Sequence, residues 1–142
     1  MSSPVPFSAA DFLVEIEGIG SAGFSRVLLP RQELRTVPYR NGGDGQRTTF
    51  APAGAEVPDH FVVTRGVTAD TSLWDWWQET RAGGGSARRA SVVLLDESQN
   101  EQARWNLVDC DPVAYWLSPL DATLGEVLTE TLCMTTGGMD RA

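Results

Sequence analysis

Few residues in this chain are of types that do chemistry, and their spacing argues against it. His60 is the single histidine. A catalytic triad or a histidine-based metal site would have to use it, and it stands beside Asp59 at a boundary between loop and strand, an ordinary surface position. The carboxylate pairs Glu15/Glu17 and Asp109/Asp111 are spaced i, i+2, which puts both members on one face of a strand. Two facing carboxyls are what glycoside hydrolysis needs, and close like charges raise a carboxyl pKa. Spacing of this kind reads as solvated strand faces. Cys110 and Cys133 are the only cysteines; they fit neither a zinc site nor a CxxC redox pair and read as small buried apolar residues. The run Gly83-Gly84-Gly85 is followed by Ser-Ala-Arg-Arg, not by the lysine and hydroxyl of a phosphate loop. The segment NGGDG at 41–45 lacks the spaced ligands and closing glutamate of a calcium loop. The reading is no catalytic residue, no cofactor and no metal.

The elements around these residues point to a β protein. Phe12, Val14 and Ile16 alternate with Leu13, Glu15 and Glu17, a half-buried strand ended by glycines at 18, 20 and 23. Phe24 to Tyr39 carries apolar and β-branched residues around Pro30, hence two short strands or one bulged edge strand. Residues 40–60 form a long polar loop rich in glycine and proline, with Phe50 as its only large apolar residue. Loops this long are commonly functional, and an apolar tip on one suits docking on a partner. Phe61 to Val67 is a strand. A helix then spans about 70–82: Asp70 or Thr71 can cap it, Leu73, Trp76 and Trp77 sit at i, i+3, i+4 with Trp74 at the margin, and the glycine run ends it. Arg88–Asp96 and Gln102–Cys110 form a hairpin. Asp111-Pro112 redirects the chain into a short strand, Val113–Leu117, and Glu126–Thr135 alternates once more. The tail GGMDRA should be loose. The expected fold is mainly β, an antiparallel β-barrel or sandwich of six to eight strands with one flanking α-helix.

Composition bounds the partners. At 142 residues the chain is most simply one domain, residues 1–142, long enough for a real core. Nineteen acidic residues stand against eleven basic ones, net charge −8. All eleven cations are arginine, and Arg88-Arg89 is the only adjacent pair, which argues against a phosphate-binding patch and against direct nucleic-acid recognition. No apolar run approaches the ~18 residues of a membrane span, so no membrane insertion of the monomer is expected. The N-terminus has neither a basic nor a long apolar region, so no signal peptide is expected either. Five tryptophans are the strongest anomaly. They suit a core under the helix, with one or more at a subunit contact.

Several fragments, in order, resemble the phage tail tube family. They are FLVEIEG with its glycine turn and FSRV; Tyr39-Arg40-Asn41-Gly42 before the long loop; RGVTADTSLWDWW from Arg65 to Trp77; the stretch from Arg88 through Trp105 to Thr123; and LGEVLTETLCMTTGG. Together they cover most of residues 12–138. The chain departs from the family pattern at Thr49–Gly54, where a lysine-leucine-proline-glycine element is frequent, and at Thr129-Glu130, where a hydrophobic residue commonly precedes the glutamate. The resemblance implies a β-barrel protomer of an inner tube, in a contractile phage tail or a phage-tail-like injection system, built of stacked hexameric rings. Its partners would be further copies of itself, a surrounding sheath, baseplate or tube-initiator proteins, and a cargo in the lumen. The particle would be made and assembled in the cytoplasm. Candidate subunit contacts are Tyr39, Arg40, Asn41, Phe50 and Trp74. The alternatives are a tube-initiator of the same fold or a small-molecule-binding β-barrel.

Overall fold

The structure is a computed structural model and describes residues 4–21, 23–39, 49–56 and 59–142. Among these, nine strands and one helix follow one another: β1 (Phe12–Ile16), β2 (Phe24–Leu28), β3 (Leu34–Tyr39), β4 (Thr49–Glu56), β5 (His60–Gly66), α1 (Ser72–Arg81), β6 (Arg88–Leu95), β7 (Glu101–Leu117), β8 (Thr129–Thr135) and β9 (Gly138–Arg141). All strand pairs are antiparallel. Seven strands form one sheet in the order β1-β6-β7-β8-β5-β2, with β9 added to β7. Its two end strands, β1 and β2, also touch, so the sheet curls back on itself as a barrel-like shell. β3 and β4 pair only with each other.

The alternation read in the sequence is what fills the shell. Val14 and Ile16 of β1, Phe61 and Val63 of β5, Val92 of β6, Leu107 of β7, and Leu132 and Met134 of β8 are all buried in one cluster. Helix α1 closes it. Leu73 and Trp76 are fully buried and Trp77 packs beside them, as the i, i+3, i+4 spacing predicts. Thr71 holds the N-cap position without a side-chain cap bond, and one residue earlier Asp70 Oδ1 accepts the Ser72 amide at 2.9 Å. At the other end Gly83 has φ +87°, the left-handed turn that glycine takes without strain. The Trp76 indole donates to the Ser86 carbonyl, so even the most buried tryptophan has its N–H satisfied.

The barrel sheet holds seven strands beside one helix, within the expected six to eight, and the β3–β4 pair stands outside it. Three expectations are corrected. The loop about 40–60 contains β4: Thr49–Glu56 pairs with Leu34–Tyr39, with Pro52 opposite Thr36 and Pro38 opposite Phe50. In a two-stranded ribbon each strand has one free edge, where a missing N–H breaks no ladder bond. Asp111-Pro112 does not divide two strands; β7 runs through it for 17 residues. Shifts of register flank this point on both partners, and Asp109 takes φ +52°. Such bulges bend a strand without ending it and tolerate proline. The first part of β7 thereby pairs with β6 and β9, and the last part with β8. Finally, the tail is ordered: Gly138–Arg141 pairs with Val108–Trp105, Met139 packs on the core and the Arg141 guanidinium lies 5.6 Å from the Trp105 ring centroid.

Candidate assembly surfaces

One charged constellation lies inside the shell. Arg65 and Glu130 face each other across β5 and β8 and are both buried. Arg65 Nε donates to Glu130 Oε1 at 2.7 Å. The rest of the guanidinium reaches the start of the helix, where Nη2 donates to the Asp70 carbonyl at 3.2 Å and to Ser72 Oγ at 3.3 Å, and Nη1 to Asp70 Oδ2 at 3.4 Å. The Phe24 ring covers it at 5.7 Å. The second carboxylate oxygen of Glu130 accepts from the Tyr115 hydroxyl at 2.6 Å. Burial, and then the bond to Glu130, push the Tyr115 phenol well above its ordinary range. The amide of Ser72 holds the Asp70 carboxyl below the usual carboxylate range. Four of the five Arg65 N–H donors are thus used in tying β5 to β8 and to the helix start.

The other candidate chemical groups are separate. His60 is exposed on its strand end, and its backbone N–H donates to Asp59. Burial pushes the Cys110 thiol up to about 11, and burial likewise raises Cys133, so neither is a thiolate near neutral pH. Glu15 pairs with Arg104, and Glu17 accepts the Arg89 amide. No group of three or more metal-ligating side chains occurs among the described residues, and no described helix is long and apolar enough to cross a membrane.

The candidate contact residues fall in two places. Tyr39 ends β3 opposite Thr49, and Phe50 lies on β4 opposite Pro38; Arg40 and Asn41 lie outside the described residues. Trp74 is on α1, half-buried, with its ring edge against Tyr115 at 5.1 Å between centroids and the Arg81 guanidinium 5.8 Å away. The structure therefore joins Trp74 to the Glu130–Tyr115 chain of contacts, and Tyr39 and Phe50 to a strand pair outside the main sheet. Sequence reasoning missed a third region. Leu28 and Trp116 are about half exposed, and Leu120, Leu124 and Val127 more so. Their apolar character was visible in the chain, but which of them the shell would cover was not.

Comparison with known proteins gives this geometry a context. The family described as T4-like virus tail tube protein gp19 matches over residues 8–140. Among solved structures, the chain is similar to a protein of the sheath-tube complex of an extracellular contractile injection system (PVC) in its extended state. That likeness has TM-score 0.84 and 18% identity, covering 96% of this chain and 91% of the other. A protein in the anti-feeding prophage (AFP) baseplate matches with TM-score 0.82 and 23% identity, covering 100% and 97%. Hcp1 from Flavobacterium johnsoniae matches less closely, with TM-score 0.60 and 15% identity over 92% and 94%. No curated protein matches the chain by sequence.

Proposed function

The chain belongs to the tail tube protein family of T4-like viruses, and on that footing we propose that it is the repeating protomer of an inner tube, stacked as hexameric rings in a contractile phage tail or phage-tail-like injection system. The family match over residues 8–140 carries the reading. A shell whose buried charges all serve its own rigidity, and whose catalytic candidates are scattered, supports a building block without enzymatic activity. In this reading the β3–β4 pair with Tyr39 and Phe50, the residues Arg40 and Asn41 that follow Tyr39 in the chain, and the Trp74 edge of α1 contact neighbouring copies. Rings require a closing heterologous contact, and stacking requires a second, open-ended one. A sheath around the tube, a baseplate at its end and a cargo within it are the partners such a role implies. Six copies of a chain of net charge −8 would carry about −48 per ring, which disfavours adhesion of an anionic cargo wherever that charge faces the lumen.

Electron microscopy of the purified protein at high concentration tests the reading. Sixfold rings stacking into tubes are expected. Single rings that never stack would favour a tube-initiator instead, and a compact monomer that also fails to assemble on baseplate components would overturn the proposal.

A further inference from the structure

We propose that the segment Pro4–Ala10 of one copy lies in a groove on the outer face of β2, β5, β8 and β7 of the next copy, making a head-to-tail contact. The inference rests on the tube reading for its partner, a second copy of this chain, and on the structure for its two surfaces. The first is an extended arm. Pro4–Ala10 carries neither helix nor strand, has no charged residue, and exposes Val5 by 82% and Phe7 by 52%. Pro4 and Pro6 fix φ near the polyproline value, so the arm loses little entropy when it docks.

The second surface is a groove of about 330 Å³ lined by Arg26, Leu28, Val62, Thr64, Trp116 and Thr131. Arg26, Thr64, Thr131 and Trp116 form one cross-strand row on the face opposite the buried Val63 and Leu132. Leu28 and Trp116 are its exposed apolar walls. Extended proline-containing segments dock in aromatic-walled grooves of this kind.

Charge selects the pairing. Arg26 is exposed and makes no ion pair among the described residues. At the arm's root stands Glu97, exposed and likewise without an ion pair among them. Seating the arm over Leu28 and Trp116 brings an acidic root toward the groove's one cation.

The arm's root and Trp116 of the groove sit at opposite ends of β7. The arm is rooted at the β6–β7 tip, where the Asp11 carbonyl accepts the Leu95 amide and Gln99 Nε2 donates to Asp11 Oδ2. Trp116 lies at the far end of the strand that begins there at Glu101. Even bent to a right angle at Asp109, that strand separates its ends by about 35 Å at ~3.3 Å per residue. The arm from Asp11 back to Val5 reaches at most about 20 Å. A contact between unlike ends is heterologous and propagates into rings or stacks.

Disulfide trapping tests the proposal. Full-length protein carrying Phe7→Cys and Leu28→Cys, with Cys133→Ser to clear the same face, is oxidised at assembling concentration and run without reductant. A ladder extending past the dimer is expected, with neither single-cysteine variant exceeding the dimer. Monomer or dimer alone in the double variant overturns the arm contact. As a second measurement, Arg26→Glu is expected to raise the concentration needed for assembly at least tenfold and added Glu97→Arg to restore it; no restoration overturns the pairing. Microscopy of the same samples separates the two readings: a ladder without sixfold tubes sinks the tube assignment, and tubes without a ladder sink the arm.

Discussion

Arg65 and Glu130 stand opposite each other on neighbouring strands, side chains turned inward, with 2.7 Å between guanidinium Nε and carboxylate Oε1. Both occupy inward-facing strand positions, Arg65 after Phe61 and Val63, Glu130 before Leu132 and Met134. A buried ion pair repays its desolvation only when its remaining hydrogen-bonding capacity is met. Here Tyr115, Ser72 and the Asp70 carbonyl meet it.

Removing one partner leaves the other charge stranded. Arg65→Met or Glu130→Leu alone is expected to destabilise the fold by about 3–5 kcal/mol, while the double replacement is much less harmful. Urea denaturation of the three variants measures this. A double variant as unstable as the sum of the singles would show that the two sites do not act as a pair.

Gly85 follows the helix where the chain passes back over Thr80. A Cβ there would meet the Thr80 Cα and N at 2.7 and 2.8 Å, backbone atoms that cannot swing aside. Gly85→Ala is therefore expected to destabilise by about 1–3 kcal/mol. At Gly84 the nearest atom is 4.0 Å away, and Gly84→Ala should be tolerated. Thermal melts of the two variants give the comparison.

Alkaline stability has a defined sign. Burial raises the Cys110 thiol from 9.0 to about 11, so the unfolded chain releases this proton at lower pH than the folded one. The contribution is whole below pH 9 and is lost as pH rises from 9 toward 11. Cys110→Ala should be less stable at pH 7, from the cavity it leaves, yet fall less steeply across that window. Equal slopes in parallel denaturation series would contradict the assignment.

Period and punctuation carry most of the fold in the sequence. β1, β5, β8 and α1 follow from alternation or helical spacing within a few residues, because each presents one apolar face to one core. The Arg65–Glu130 pair left a legible trace, a charge at an inward position in each of two alternating strands, although only the structure joins them. What stayed illegible depends on pairing between distant segments. β9 is Gly-Met-Asp-Arg, with no strand pattern of its own, and exists because β7 offers it an edge. β4 is rich in alanine and proline and is a strand only beside β3. Proline at 112 reads as a stop, and bulges on either side turn it into a bend. Of the candidate contacts, Trp74 shows its packing on Tyr115, a link no spacing could predict.

β7 belongs to both halves of the shell: its start is hydrogen-bonded to β6 and β9, its end to β8. The two halves thus share one continuous strand, so opening either one pulls on the other. Amide exchange along β7 is expected to be among the slowest in the molecule. In a protomer that repeats along an assembly, a strand shared by both halves leaves fewer loose edges to catch on a neighbouring copy.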